Sequence, residues 1–518
     1  MTIFMQNHQV YLTPISPIHI GCGEDFEPTN YTIDNNVLYH FDPSMLPLTK
    51  EKREDLTNRS NRTDLLSIQR FFLENKELAC QYASYFADVS MGVSTVWKQR
   101  IGKVANNEKE GNAVINKLAI ERNSYLPYQH VPYIPGSSFK GALATAILNK
   151  AHHEEGSPKV SAKAHKSLVK KYIGEFSDSL LRYVKFSDFM PQSLANSHIY
   201  YALNFKKIPT HNGSVGKGVP LRRECISHGQ YRAFISQLSL TRELDKKIQH
   251  IEEYLSTINT FYKAVLAQEL KVLLERNLVE KKWVNAFIQL VDSMLKNKRC
   301  ALIRLGKNGA DSKVYQDNVA QIKIMKRKGK GEKTDYKPQA TTLWLAAESE
   351  KQTSNLLPFG WAIIEVDPQE DNLALKQWCE QQPKSHFDRE KILQKRKELE
   401  AERQRQQAEQ KAKREAEIQA ELAKQAMLNS LSDNQRSVMD FVEQVNATRE
   451  LQADTTGSAL LKSLTQLVES AVLSWNKSEK DFLLEHITTD LIKTKVKFNK
   501  KDGEKNLKKL LNKLTVTS

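Results

Sequence analysis

Residues 133–148, Tyr-Ile-Pro-Gly-Ser-Ser-Phe-Lys-Gly-Ala-Leu-Ala-Thr-Ala-Ile-Leu, constrain this chain more than any other stretch. Pro135 and Gly136 end an extended run. Ser137 or Ser138 can cap a helix starting there, because each side-chain oxygen can accept a free N–H of the first helical turn. Leu143, Ala144, Ile147 and Leu148 then recur at helical spacing. The pattern predicts a Gly-Ser-Ser turn at a helix N-terminus, with Lys140 in the first turn and Gly141 beside it. Free backbone N–H groups, the positive end of the helix dipole and a lysine converge there, and together they suit a phosphate. An ordinary capped helix after a tight turn has the same local chemistry, so the stretch alone leaves both readings open.

The charge balance agrees with a phosphate-bearing partner. The chain has 77 Lys and Arg against 61 Asp and Glu, a formal net charge of +16. That excess favours nucleic acid or an anionic surface over a neutral small-molecule pocket. Its 518 residues suffice for two or three domains. No apolar run approaches the roughly 20 residues that span a bilayer, and the first residues lack the basic-then-apolar pattern of a signal peptide. The five cysteines, Cys22, Cys80, Cys225, Cys300 and Cys379, are odd in number and far apart, with no Cys-x-x-Cys among them. Neither a disulfide framework nor a zinc site is indicated. The expectation is a cytoplasmic protein with no cofactor, no metal and no membrane partner.

Up to about residue 385 the chain mixes strands and helices. Residues 9–15 alternate as a strand does, and 31–33 and 37–39 flank Asp34, Asn35 and Asn36 as a hairpin. Residues 64–89 read as helical. A basic stretch over 97–122 reads as a loop that orders on RNA. Strands are expected at 183–189, 199–205 and 231–238. Residues 241–297 are almost all helix formers, with Ile248, Ile251, Tyr254, Leu255, Ile258, Phe261 and Tyr262 on one continuous face. Short strands return at 301–305, 342–345 and 361–366. This is an α+β pattern. Two glycine- and lysine-rich stretches, 211–218 and 323–333, can offer backbone N–H groups and cations to phosphates. The second, with Lys326, Arg327 and Lys328, reads by composition as disordered without RNA.

Beyond residue 385 the composition changes to Glu, Lys, Arg, Gln and Ala. Ile392, Leu399, Ile418 and Leu422 are too sparse for a heptad seam. Residues 386–429 are therefore expected to form a charged single helix or linker. Residues 430–518 are expected to form a small all-α domain. Ser432 with Gln435, and Ser478 with Asp481, look like helix starts. Leu460, Leu461, Leu464, Leu467, Val468, Ala471, Val472 and Trp475 make an apolar face that must pack.

Two motifs carry a family resemblance. Ile134 to Gly141 resembles the first-helix motif of the RAMP superfamily, the Cas7-like repeat-associated RNA-binding proteins of CRISPR systems. The stretch Leu-Thr-Pro-Ile-Ser-Pro-Ile-His-Ile-Gly-Cys-Gly over 12–23 is similar to the first strand and glycine turn of the same proteins. Further matches come in family order. They are a strand ending in Ser187-Asp188, a Glu224-containing turn leading into a strand, a glycine loop over 304–310, and Pro358-Phe359-Gly360-Trp361 opening the last strand. This order is most similar to the fifth Csm subunit of type III-A effector complexes, over about residues 9–366.

The resemblance implies a ferredoxin-like (RRM-like) core in residues 1–385, with helical insertions at about 57–125 and 241–297. It implies a non-catalytic subunit that binds crRNA, caps the complex near the guide 3′ end and supports guide maturation in antiviral defence. Its partners would be crRNA and target RNA, the adjacent Cas7-like backbone subunit and a small helical subunit. Recruitment of a host nuclease for 3′ trimming stays open. The residues assigned to RNA are Gly136, Ser137, Ser138, Lys140 and Gly141 at the helix; His19, Gly21 and Gly23 at the first turn; Arg222 and Arg223 at the strand edge; and Arg304, Gly306, Lys307, Gly309, Lys326, Arg327 and Lys328 in the late loops.

The competing class is a RAMP endoribonuclease acting on guide precursor or target RNA. Metal-free RNA cleavage needs a base for the 2′-hydroxyl and an acid for the leaving oxygen. His19 has no second histidine or tyrosine tied to it by spacing, and it reads as a packed residue with one hydrogen bond. Asp34 sits in a short turn that favours aspartate for its backbone hydrogen bonds. The run from His152 to Glu155 has no partner at metal-ligand spacing. The purified protein is therefore expected to leave guide precursor and target RNA intact on denaturing gels, with or without magnesium. Metal-dependent cutting that disappears in Asp34→Ala would contradict this, and loss in His19→Ala would favour the processing enzyme.

Overall fold

The alternation expected over 9–15 is a strand, β1 (Met5–Pro14), with Val10 and Leu12 fully buried. In this computed structural model the described residues are 4–62, 64–107, 113–115, 118–158, 165–175, 177–193, 195–210, 213–215, 221–241, 250–313, 322–324, 335–385, 388–448, 451–453, 458–498 and 501–516. They divide into two units, Met1–Arg396 and Lys397–Ser518.

In the first unit, β1 lies at the middle of a sheet with β2 (Val184–Phe186), β3 (Phe234–Thr241), β4 (Cys300–Arg304) and β5 (Trp361–Val366). The order is β2-β3-β1-β5-β4, every pairing is antiparallel, and Met190–Pro191 adds a short piece to β3. Helix α1 (Gly136–Glu154) connects β1 to β2, and α2 (Ile251–Glu275) connects β3 to β4. Alternate residues of β3, Phe234, Leu238 and Leu240, are buried, and they share a core with Val10 and Leu12 of β1. Phe139 and Leu143 of α1 and Ile251, Leu255 and Ile258 of α2 complete it. Each such side chain contributes about 1.5–3 kcal/mol on burial. The two helices touch where the Tyr262 hydroxyl donates to the Ala142 carbonyl at 3.2 Å.

An edge strand exposes unpaired backbone groups, and α2 covers those of β4. Asn259 accepts from the Leu302 N–H at 2.9 Å and donates to the Cys300 carbonyl at 3.0 Å. The span 241–297 is thus no mere insertion: α2 is a core helix, followed by a second helix at Lys281–Met294.

A second sheet runs in the order Gly21–Phe26, Ile120–Asn123, Leu221–Ile226, Ser197–Thr210, Tyr85–Val89, Val37–His40, Tyr31–Asp34, and Thr342–Ala347 also pairs with Ser197–Thr210. Tyr85–Val89 lies inside the stretch expected to be helical. It is buried at all five positions, so its apolar run gave no alternation to distinguish it from helix. The helices Lys50–Asn61, Leu65–Glu74 and Lys76–Gln81 precede it. The expected hairpin closes through a two-residue loop, Asn35 and Asn36, both at positive φ as that turn requires.

The charged helix is Arg389–Ser430. Its first turns belong to the first unit. Ile392 and Leu393 pack on Val37, Ala83 and Phe86, and Arg396 donates to the Ala83 carbonyl at 2.9 Å. The body therefore runs through Arg396 rather than ending at 385. In the second unit, helices Asp433–Ala447, Ala459–Ser474, Lys477–His486 and Lys501–Val516 surround Val438, Phe441, Leu464, Val468, Leu483 and Leu511. Gln452–Ala453 and Val496–Lys497 pair as short parallel strands, so this unit is not all-α. The Ser432–Gln435 capping box forms as read. The helix Lys477–His486 starts at Asn476 with Glu479, not at Ser478. Glu479 also accepts from Ser432 and Asn434, at 2.7 and 2.9 Å, which fixes the two helix starts together.

A fragment of residues 1–396 is expected to melt cooperatively by circular dichroism. A fragment of residues 1–385 should lose roughly 1–3 kcal/mol with the Ile392 and Leu393 contacts. A 397–518 fragment should be helical alone. Identical melts for the two longer fragments would contradict the boundary at Arg396.

Candidate nucleic-acid interface

The chain passes from the first sheet to the second through residues 15–20. Ile18 bridges Ile226, and the turn over 19–23 comes next. His19 is fully buried. Its Nδ1 donates to the Glu224 carbonyl at 2.6 Å, and its Nε2 lies 3.4 Å from Glu121 Oε2. The late glycine loop is laid directly on this turn. Gly306 has φ +81°, and a Cβ there would stand 2.3 Å from the His19 carbonyl oxygen. Only glycine permits both the conformation and the approach. Lys307 N–H then donates to the same carbonyl at 2.9 Å.

One carboxylate ties these loops together. Glu121 accepts from Arg223 Nε at 2.8 Å and Nη2 at 3.2 Å, and Lys307 Nζ stands 3.4 Å away. Arg223 also donates to the Asn308 side chain. The Glu121 carboxyl is held well below the usual carboxylate range, by the His19 imidazole first and then by Arg223 and Lys307, against the opposing effect of burial. A second, buried carboxylate lies beneath. Glu224 accepts from Ser197 Oγ at 2.8 Å, Asn123 N at 2.9 Å and the Tyr85 hydroxyl. Asn123 Oδ1 accepts from Ile20 N at 2.8 Å. Arg122 lies over aromatic rings, 3.4 Å from the centroid of Tyr125 and 4.8 Å from that of Phe26.

The helix N-terminus differs from the expected serine cap. Helix α1 begins at Gly136 with Pro135 at the capping position, and neither Ser137 nor Ser138 caps it. The Asp188 carboxylate accepts the Gly136 N–H at 2.8 Å instead. Gly136 is needed for packing, because a Cβ would sit 2.6 Å from the Ser187 carbonyl oxygen. The anion that the helix end favours is therefore supplied by the protein. Ser137 and Gly141 remain exposed and Lys140 is half-buried on the first turns.

The assigned residues thus separate. His19, Gly21, Arg223, Gly306 and Lys307 come together, and Lys307 and Gly23 are exposed. His19 and Arg223 are buried and engaged in the protein, so they organise this surface rather than reach a ligand. Arg304 is a clear correction. It is buried, donates to Glu269 at 2.8 Å and to the Phe359 carbonyl at 2.8 Å, and Trp361 Nε1 donates to the same Glu269 carboxylate at 2.8 Å. Gly309 is also buried. Arg222 is half-buried, its guanidinium 5.7 Å from the Tyr201 ring. Arg122, read as part of an RNA-ordered loop, is buried in its aromatic cage. Lys326, Arg327, Lys328 and most of 211–218 lie outside the described residues. Sequence reasoning missed Glu121, Asn123 and Asp188. The one available signal was Asp188 directly after Ser187 at the end of a family-like strand.

Two helices joining the strands of one antiparallel sheet, with two glycine loops clasped by a carboxylate beside them, define a mixed α/β protein built around a charged loop junction. The sequence model of the RAMP superfamily matches residues 11–310, more than half of the chain, and the chain belongs to that superfamily. No curated protein matches it. Among solved structures it is similar to a chain of the "Cryo-EM structure of Csm-crRNA-target RNA ternary complex in type III-A CRISPR-Cas system", at 16% identity over 70% of this chain and 100% of that one, with a TM-score of 0.40. It is also similar to Csm5 of T. onnurineus, at 16% identity over 68% of this chain and 99% of that one, with a TM-score of 0.35.

Glu121→Gln should destabilise the protein by about 2 kcal/mol at neutral pH, the scale of a charge-assisted hydrogen bond. Because the folded-state pKa is depressed, the wild-type advantage is fully present above the unfolded value of about 4.3. It is lost as pH falls below that value through the folded pKa. Denaturant melts of both proteins between pH 7 and low pH should show the gap closing only in acid. A gap independent of pH would contradict the role given to this carboxylate.

Proposed function

We propose that this chain is a non-catalytic, guide-RNA-binding subunit of a type III CRISPR effector, capping the complex near the guide 3′ end. The observation that carries the reading is the joining of the 19–23 and 306–308 loops. Both are family-like motifs, and they are far apart in sequence. They meet through the Gly306 approach to His19 and leave the Lys307 ammonium and glycine backbone at the surface. The net charge of +16 supports an RNA partner. The connection β1–α1–β2–β3–α2–β5 with spatial order β2-β3-β1-β5 supports reading the core as ferredoxin-like, with β4 as an added edge strand.

The neighbours in this reading are the adjacent Cas7-like backbone subunit and the small helical subunit, with crRNA and target RNA running past the loop junction. Recruitment of a trimming nuclease is no part of it. No described helix is long and apolar enough to cross a membrane, and a cytoplasmic ribonucleoprotein fits the reading. An endoribonuclease would need a group free to take a proton. Both His19 nitrogens face protein groups, and Asp34 accepts from Lys76 Nζ at 2.7 Å.

Binding to single-stranded RNA should weaken with salt at a log–log slope of about −0.7 per phosphate neutralised. Lys307→Glu should lower affinity and make the slope shallower by about one such increment. Lys263→Glu, on the exposed side of α2, should do neither. Filter-binding titrations across salt concentrations measure both. Affinity that ignores salt, or a Lys307→Glu protein that binds like wild type, would remove the reading.

A further inference from the structure

A cleft of about 1,200 Å³ opens in the first unit, away from the loop junction in sequence and lined by none of its residues. Its walls come from the Tyr85–Val89 and Ser197–Thr210 strands, the turn over 227–231, the Lys281–Met294 helix and the segment 378–385. Four of its lining residues carry buried polar atoms with no hydrogen-bond partner among the described residues: Ser90 Oγ, His228 Nδ1, Trp283 Nε1 and Trp378 Nε1. Buried polar groups are nearly always paired. Four residues that carry such atoms border this one cleft.

The chemistry of the walls narrows the ligand. His198 lies flat on Tyr200, the ring centroids 4.1 Å apart and the planes 13° off parallel. Trp283 and Trp378 add further aromatic surface with N–H donors. Burial lowers the His228 pKa to about 4, so at neutral pH its imidazole is uncharged and presents one donor and one acceptor. Asp88, Glu280 and Glu348 outnumber Lys282 and Lys384 around the lining. A phosphate inside would meet more negative than positive charge, whereas a flat, neutral, hydrogen-bonding ring would not. Ordinary ligand pockets run to about 300–1,000 Å³, so this cleft admits more than one such ring.

We propose that the cleft receives unstacked nucleobases of a single-stranded RNA, with the sugar–phosphate backbone left outside it. This rests on the RNA-binding reading and adds to it a site that reads bases rather than phosphates. Stacking on aromatic side chains is sequence-tolerant, because every base has a π-face.

The test uses the full chain with two probes of equal length and charge, a short oligouridylate and its abasic counterpart. The intact strand should bind at least tenfold more tightly. Trp283→Leu should remove most of that difference and leave abasic binding unchanged. Trp378→Phe, which keeps an aromatic ring but loses the indole N–H together with the five-membered ring, should reduce it by a smaller factor. Circular dichroism melts show whether the variants are folded, and 4-thiouridine crosslinks read by mass spectrometry should fall on Tyr231, Trp283 or Trp378 peptides of the wild type. Equal binding of the two strands would overturn the base site while leaving the RNA-binding reading intact. Absence of binding by either strand would overturn both. Base-dependent binding that both variants retain, with crosslinks elsewhere, would also overturn it. So would protection of the cleft peptides by a neighbouring protein subunit and not by RNA.

Discussion

The Glu121 carboxylate is the interaction on which the charged loop junction depends. It lies on the strand beside Leu221–Ile226 and is met by His19, Arg223 and Lys307, which come from three distant parts of the chain. Without it, the buried Arg223 guanidinium would face the Lys307 ammonium with no carboxylate between them, and removing one partner of a buried ion pair is costly. The glycine at 306 makes the arrangement sterically available, and the carboxylate makes it electrostatically stable. The turn over 19–23 is thus held at two levels, by Glu121 at the surface and by Glu224 beneath it, where Asn123 carries the tie back to Ile20.

The same economy governs the helix that begins at the Pro135–Gly136 turn. A helix N-terminus attracts an anion, and here Asp188 supplies it from the end of the adjacent strand segment. The motif therefore seats α1 against the first sheet before it can serve any ligand. Its exposed face carries Ser137 and Gly141, while its charge demand is already met. RNA recognition on this face would draw on surface cations such as Lys140 rather than on the helix dipole alone.

Local structure was legible in the sequence. The motif helix, β1, the Asn35–Asn36 hairpin and the Ser432–Gln435 capping box are all set by residues within a few positions of one another. The α+β mixture and the family came from the order of such pieces. Long-range pairings were not legible. Arg304 beside two glycines reads as an RNA contact until Glu269, on another helix, is seen beneath it. Arg223 reads as a surface cation until Glu121 is placed on the neighbouring strand. Tyr85–Val89 is buried on both faces, which erases the alternation that marks a strand. The charged helix looked detached because two apolar residues near its start, Ile392 and Leu393, carry too little weight in a composition count to announce that they pack on the body.

The central claim is that the two glycine loops form one RNA-facing surface because Glu121 joins them. Hydrogen exchange of the full chain, with and without a saturating single-stranded RNA, tests it most directly. The account predicts that amides of residues 19–24 and 305–309 slow together when RNA is added, and that both segments exchange faster in Glu121→Gln before RNA is present. Protection confined to other segments, or a Glu121→Gln protein in which only one loop loosens, would contradict it.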